Sequence, residues 1–363
     1  PTPAIAALAA ERGWAGAAIT ASHNEYRDNG IKIFAVGGLK LTSAQEIAIE
    51  ANLVKHLHDG VEPESAIWDG LAPQTVAESI HGYVQRIVEL VPSDAFSGMH
   101  IVLDCANGAM TDVAGEVFAR CGATVTVINC EPDGRNINAN CGATFPNVVS
   151  EAVRLHRGDL GLAFDGDGDR VIAVDHVGNI VDGDHLIALA ALDLQESLQL
   201  AHNSVVVTVM TNIGFHRAMA KAGIGVVTTP VGDRSVLTEL DAHGYVLGGE
   251  QSGHIIYRSH ATTGDGLLAG VLLTDMVRRT GKSLQQLAAE AMTSFPQVLV
   301  NVIVARRGVD VGSVFADEMR DAMPELPWHR RDRFVTEYGF KASEARQIVG
   351  EPALADFVEH SVS

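Results

Sequence analysis

The sequence predicts an α/β protein of three consecutive α/β domains with mixed, mainly parallel sheets, and three observations carry that expectation. Short apolar runs alternate with helical patterns of roughly 10 to 15 residues, the rhythm of strand–helix–strand units. A chain of 363 residues exceeds one core and fits about two to four domains. Hydrophobic residues at 47% against 20% charged residues describe a globular chain and exclude a disordered one.

Thr2-Pro3 opens a short helix that runs to Gly13, with proline at a position that needs no N–H. Ala15 to Thr20 reads as a buried strand, and Gly30 to Phe34 as a second one after a polar loop. Ser43 and Glu46 have capping-box spacing, and the apolar residues Ile47, Leu53, Val54 and Leu57 recur behind them, so a helix is predicted from Thr42. A connection from Asp59 to Pro73 precedes another helix near Val76 to Leu90. The second unit begins near Ser97, with strands at His100 to Cys105 and Thr124 to Asn129 and helices at Val113 to Arg120 and Asn147 to His156. Leu160 to Phe164 is a short apolar strand that delivers an acidic loop, and Val171 to Asp175 returns from it. The third unit repeats the rhythm: strand Ser204 to Met210, helix Phe215 to Ala222, strand Gly225 to Thr229, helix Ser235 to His243, strand Tyr245 to Leu247, then helices from Leu267 and Ser283. Pro296 to Ala305 makes one more strand, and beyond Gly308 the pattern assigns no element.

The charge excludes some functions. Twenty-six basic against 45 acidic residues leave a net charge of −19, a poor match to nucleic acid or an anionic membrane surface. A small anionic substrate remains compatible, since a few local Arg and Lys suffice to line its pocket. Cys105, Cys121, Cys130 and Cys141 contain no C-x-x-C pair and fit neither a zinc site nor a disulfide framework. No apolar stretch approaches the ~20 residues of a membrane span, and no signal-like segment opens the chain. The expectation is a soluble, cytoplasmic protein.

Three loops carry chemistry. In Asp165-Gly166-Asp167-Gly168-Asp169-Arg170, carboxylates at every second position can turn inward together, and hard oxygens at that density suit Mg²⁺ or Ca²⁺. A calcium EF-hand starting at Asp165 would need Gly and Glu where Arg170 and His176 stand. A solvated acidic turn is the plainer alternative, but three uncompensated carboxylates repel one another. Arg170 beside them suits a phosphate. In the second loop, Ser22-His23-Asn24 follows an apolar strand and places a hydroxyl at a strand's carboxyl end, where α/β proteins bind ligands. No G-x-S-x-G elbow surrounds Ser22, which counts against a Ser-His hydrolase. The third, Gly248-Gly249-Glu250-Gln251-Ser252-Gly253-His254, combines close-approach glycines with donors and acceptors suited to sugar hydroxyls. Arg234, in Val231-Gly232-Asp233-Arg234, fits a surface ion pair as well as a ligand contact.

Taken together and in this order, each on its own α/β unit, the three motifs resemble the α-D-phosphohexomutase family, and closely its phosphoglucosamine mutase branch. The resemblance runs from Pro1 to about Val304. Gln251 is similar to the glucosamine type, where a G-E-M-S-G-H loop marks the phosphomannomutase/phosphoglucomutase branch. The run from Ser22 through Tyr26, Asp28, Asn29, Gly30 and Ile31 to Lys32 is similar to that type too.

The resemblance implies a phosphoserine at Ser22 that donates to a sugar monophosphate and recovers the other phosphate of a 1,6-bisphosphate. Glucosamine 6-phosphate would become glucosamine 1-phosphate, on the way to UDP-N-acetylglucosamine and cell wall. It implies one Mg²⁺ held by Asp165, Asp167, Asp169 and the Ser22 phosphate, with glucosamine or glucose 1,6-bisphosphate as intermediate or activator. Lys32, ten residues after Ser22, matches the family's proposed general acid/base, its pKa lowered by the neighbouring cation. Arg170 would steady the transferring group, as phosphoryl transfer needs. His23 joins the catalytic set, and Glu250, Ser252, His254 and Arg234 the substrate-binding set. The partner is a small phosphosugar, with a homodimer left open.

The resemblance also implies domains at residues 1–95, 96–198 and 199–296, and a remnant or divergent fourth domain at 297–363. Two family strings, G-T-x-G-I-R-G and R-x-S-G-T-E-P, do not occur in the sequence. The chain is accordingly expected to be a fragment lacking the family's first strand and its C-terminal phosphate clamp, with weak substrate affinity. The alternatives are a phosphomannomutase/phosphoglucomutase, or a catalytically impaired fragment that binds phosphosugar and metal.

Overall fold

Each of three sheets is built from strands that lie close together in sequence. The computed structural model describes residues 1–58, 77–297 and 327–349, and the chain divides into a first unit, Pro1–Phe295, and a second, Pro296–Ser363. In the first unit, α1 (Thr2–Arg12) leads into β1 (Gly16–Thr20), β2 (Gly30–Ala35) and β3 (Leu39–Lys40), which pair antiparallel in the order β1-β2-β3. Parallel pairing is therefore found in the other two sheets and not among the described strands of this one. The expected burial of β1 holds for one face only: Ala18 is buried and Ile19 is 76% exposed. Successive residues of a strand point to opposite faces, and this sheet packs one face on α1.

The helix α2 (Ser43–His58) caps one residue earlier than its sequence predicts. Thr42 Oγ1 accepts the Gln45 N–H at 3.3 Å, and the Thr42 N–H donates to Gln45 Oε1 at 2.8 Å. Thr42/Gln45 and Ser43/Glu46 have the same spacing, so spacing alone does not choose between them. The apolar positions Ile47, Leu53 and Val54 are exposed; a 3.6 periodicity shows that a helix face is apolar, not what it meets. The connection expected over residues 59–73, and Val76, lie outside the described residues. α3 (Ala77–Val88) follows.

The second sheet has the order β5-β4-β6-β7-β8, with β4 (His100–Asp104) parallel to β5 (Thr124–Ile128) and β6 (Leu160–Phe164), and β7 (Val171–Asp175) and β8 (Ile180–Val181) antiparallel. Its helices are α4 (Ala114–Arg120) and α5 (Asn147–His156). α6 (Gly183–Glu196), for which no helical signal was read, links it to the third sheet. Leu186 to Ala191 are all buried, so no polar stripe marks the period. The third sheet, β10-β9-β11-β12, combines parallel β9 (Ser204–Thr208), β10 (Gly225–Thr229) and β11 (Leu247–Gly249) with antiparallel β12 (Ile255–Tyr257). α7 (Ile213–Ala222), α8 (Asp233–His243), α9 (Gly266–Thr280) and α10 (Leu284–Ala291) complete the unit.

β6 and β7 are buried at every residue, which is why they read as unbroken apolar runs. Leu103, Phe118, Leu162, Phe215 and Leu267 belong to one continuous core that joins these sheets. α9 starts on a buried acid: Asp265 Oδ1 accepts the Leu267 and Leu268 N–H groups and the Tyr83 hydroxyl at 2.9 Å. Burial pushes the Asp265 carboxyl up to about 6. A carboxyl raised in the fold contributes stability that is complete below its ordinary value and lost as pH rises through the raised one. Asp265→Asn keeps Oδ1 and cannot ionise, so it should gain on the parent by roughly 2 to 3 kcal/mol as pH rises through that window. Urea midpoints of both proteins at several pH values between 3.8 and about 6 check this; a constant difference refutes it.

Among the described residues no helix is long and apolar enough to cross a membrane. In the second unit, α11 (Pro327–Thr336) and α12 (Ala342–Val349) enclose a small core in which Phe334 is fully buried with Tyr338, Phe340 and Ile348 beside it. Most of the strand predicted at 296–305 lies outside the described residues.

Candidate active site

Two of the three loops are hairpin tips. Residues 165–170 join β6 to β7, closing with Phe164 opposite Val171, and residues 250–254 join β11 to β12, closing with Gly249 opposite Ile255. The tips are zipped together by an antiparallel bridge between Arg170 and His254 and by the Val171 N–H, which donates to the Gly253 carbonyl at 3.1 Å. The Ser22 loop leaves the carboxyl end of β1 and meets the acidic tip.

At that tip the carboxylates of Asp165, Asp167 and Asp169 are buried. Gly168 allows the turn, with φ of +76° and no room for a Cβ, which would stand 2.2 Å from Met110 Cε. Asp165 Oδ2, Asp167 Oδ1 and Asp169 Oδ1 have no hydrogen-bond partner, and the three residues present ligand atoms within 4.8 Å of one another. Orphaned hard oxygens this close fit a divalent cation. Their protonation diverges in its absence. Burial first, then the charges of Asp169 and Asp167, hold Asp165 well above the usual carboxylate range. Burial opposes ionisation of Asp169 too, but the facing His254 ring and Lys32 ammonium hold it well below.

Lys32 sits on β2 directly opposite Ala18 of β1, which aims its side chain at the acidic tip. Its Nζ donates to Ser22 Oγ at 3.1 Å, to Asp167 Oδ2 at 2.6 Å and to Asp169 Oδ2 at 2.9 Å. Burial works against this ammonium, yet Asp169 and Asp167 outweigh it and raise its pKa above the ordinary value. Without a cation the lysine itself balances the carboxylates; the lowering expected from the sequence is tied to a bound cation. Ser22 is left-handed, with φ of +54°, and its N–H donates to Thr20 Oγ1 at 2.8 Å. Arg170 Nε lies 3.9 Å from Asp169 Oδ1 and is buried without a hydrogen-bond partner.

A cavity of about 420 Å³ brings Ser22, Lys32, Asp169 and Arg170 together with Glu250, Ser252 and His254. Glu250 Oε1 accepts the Gly232 N–H at 3.1 Å, which leaves its second oxygen for a ligand. Ser252 is exposed at the rim. The His254 ring is buried, with Nδ1 3.6 Å from Asp169 Oδ1 and Nε2 accepting the Gly264 N–H at 3.2 Å. That geometry sets the ring against the acidic tip at the wall of the cavity.

Other singled-out residues lie apart. His23 lines a neighbouring recess with Asn138 and Phe145, and burial, aided by Arg170, lowers its pKa. Arg234 donates to Ser43 Oγ at 3.1 Å and pairs with Glu46, the two residues expected to cap α2, and beside it Lys40 pairs with Asp233. Gln251 donates to Asp182 Oδ2 at 3.2 Å. Residues not singled out also reach the site: the Thr2 hydroxyl donates to Asp167 Oδ2 at 2.6 Å, and Asn138 donates to the Ser22 and Asn24 carbonyls. Asn138 lies inside the long connection between β5 and α5, in a polar run that reads as an ordinary loop, so nothing local marks it.

Family models of phosphoglucomutase/phosphomannomutase α/β/α domains I, II and III match residues 1–58, 81–178 and 182–295. A phosphoglucosamine mutase of Saccharopolyspora erythraea is 46% identical over 326 residues, which cover 90% of this chain and 71% of that protein. Solved structures agree in fold. A phosphoglucomutase/phosphomannomutase family protein from Burkholderia thailandensis matches with a TM-score of 0.63 at 23% identity, over 76% of this chain and 58% of that one. The N-acetylphosphoglucosamine mutase of Aspergillus fumigatus, in complex with GlcNAc-6P and magnesium, matches with a TM-score of 0.62 at 19% identity, over 84% of this chain and 80% of that one.

Proposed function

The chain belongs to the phosphoglucomutase/phosphomannomutase family, the α-D-phosphohexomutases, and from that membership we propose that it is a phosphoglucosamine mutase interconverting glucosamine 6-phosphate and glucosamine 1-phosphate. A phosphoryl group on Ser22 Oγ passes to the free hydroxyl of the sugar monophosphate, giving glucosamine 1,6-bisphosphate. The intermediate turns in the cavity and its other phosphate returns to Ser22. Lys32 delivers the proton that the departing Ser22 oxygen needs, while the attacking sugar hydroxyl gives its own proton to solvent in the cavity. On the return step Lys32 takes the Ser22 proton back and the leaving sugar oxygen regains one from solvent. Asp165, Asp167 and Asp169 hold one Mg²⁺, which when bound neutralises charge on the transferring oxygens. Arg170 steadies the same group, and Glu250 and Ser252 grip sugar hydroxyls. We place the reaction in the cytoplasm, on the route to UDP-N-acetylglucosamine.

One observation carries the reading: a single ammonium, Lys32 Nζ, contacts Ser22 Oγ, Asp167 and Asp169 in the cavity that Glu250 and Ser252 line. Nucleophile, proton donor and cation ligands thus share one small volume. The test is turnover of glucosamine, glucose and mannose 6-phosphates with Mg²⁺ and catalytic glucose 1,6-bisphosphate. The highest kcat/KM is expected for glucosamine 6-phosphate. A preference for glucose or mannose overturns the sugar assignment, and no phosphate on Ser22 by intact mass overturns the mutase.

Glu250→Ala removes a charged acceptor. It should lower kcat/KM about 10- to 100-fold, the equivalent of roughly 1.5 to 3 kcal/mol. Steady-state kinetics check this, and an unchanged value takes Glu250 out of the sugar site.

A further inference from the structure

We propose that Asn138 is the positioning residue that holds the Ser22 loop in shape for phosphoryl transfer, an inference that rests on the function proposed above. The loop needs an outside hold. Ser22 sits in the left-handed region at φ of +54°, which a residue with a Cβ keeps only when its surroundings insist on it. Within the loop the Ser22 N–H has Thr20 Oγ1 and the Asn24 N–H has the Ala21 carbonyl. The Ser22 and Asn24 carbonyls, on either side of His23, are bound from far along the chain. Asn138 Nδ2 donates one hydrogen to the Ser22 carbonyl at 2.8 Å and the other to the Asn24 carbonyl at 2.7 Å. Two carbonyl acceptors fix which end of the amide is nitrogen.

Asn138 is itself rigidly placed. It is buried, its φ is +56°, and its own N–H donates to the Ala106 carbonyl at 2.9 Å. Its amide lies against the acidic tip: a Cβ on Gly166, between Asp165 and Asp167, would stand 2.6 Å from Asn138 Nδ2. The one side chain therefore abuts the backbone of the cation-binding tip while gripping the backbone of the phosphoryl-carrying loop. Such a wedge sets the distance between Ser22 and the acidic tip, on which in-line transfer depends.

Asn138→Ala removes both donors and leaves every cavity side chain in place. We expect kcat to fall about 100-fold, with KM within about threefold of the parent and the Mg²⁺-induced rise in Tm retained. Hydrogen–deuterium exchange should quicken at residues 20–27 and stay at parent level in β4, β6 and β7. Exchange needs no turnover, so it decides the holding role even if the mutase reading fails on the parent protein. Unchanged exchange at residues 20–27, exchange raised equally throughout the fold, or kcat within about threefold of the parent overturns the proposal. Asn138→Ser, a milder loss, guards against misfolding; if both variants fail to fold, Asn138 supports the whole fold and the proposal is wrong.

Discussion

Ser22→Ala protein should fold like its parent, carry no phosphate, and turn over glucosamine 6-phosphate at a rate lower by about 10⁴-fold or more. The size follows from the proposed role: no proximity or charge effect substitutes for an atom that carries the transferred group. The fold should survive because Ser22 Oγ makes one hydrogen bond, from Lys32, and Lys32 retains Asp167 and Asp169 without it. The left-handed backbone at residue 22 is tolerated by alanine at modest cost, with the Ser22 and Asn24 carbonyls still bound by Asn138. Coupled assay and intact mass of parent and variant, after incubation with glucose 1,6-bisphosphate and Mg²⁺, check the result. Phosphate on the variant, or turnover within about tenfold of the parent, would move the phosphoryl carrier elsewhere.

Asp165→Asn should separate stability from function. Without a cation the Asp165 carboxyl is held well above its ordinary range, chiefly by burial. Such a group contributes stability that is complete below its unfolded value and lost as pH rises through its folded value. Asparagine fills the same space, cannot ionise, and relieves the repulsion from Asp167 and Asp169. The metal-free variant should therefore be at least as stable as the parent, with an advantage that widens as pH rises. With Mg²⁺ the order reverses. A cation at a hundred times its Kd stabilises the parent by about 2.7 kcal/mol, and the variant should lose most of that gain along with a carboxylate ligand. Turnover should fall by roughly 10³-fold, as expected when charge neutralisation at the transferring group is lost. Thermal melts with EDTA and with Mg²⁺, at several pH values, check all three. A variant that keeps the Mg²⁺ shift would show that Asp165 is no ligand.

Much of the site was legible along the chain because its parts are local. The acidic tip is six consecutive residues, the Ser22 loop follows one strand, and the glycine-rich loop follows another. The alternation of strands and helices was legible for the same reason, since capping, turns and period act over a few residues. α6 escaped because burial on all sides erases the stripe that would reveal it. Thr42 took the cap from Ser43 because a contact nearly two hundred residues away, from Arg234, engages Ser43 and Glu46. His254 was read as a sugar contact from its neighbours in the chain; it lines the cavity, and the bridge between two hairpins also sets its ring against Asp169. Gln251, useful as a mark of resemblance, donates to Asp182.

The residue types that carry charge, nucleophile and hydroxyl recognition, and the strand ends they hang from, were therefore written in short stretches of sequence. Their chemistry was not. The opposed shifts of Asp165 and Asp169, the raised Lys32 and the grip of Asn138 on the Ser22 loop all join residues more than a hundred positions apart, or depend on water being excluded around them. Electrostatic energy and hydrogen bonding fall off over a few ångströms of space, whatever the separation along the chain. Only the packed fold sets those distances.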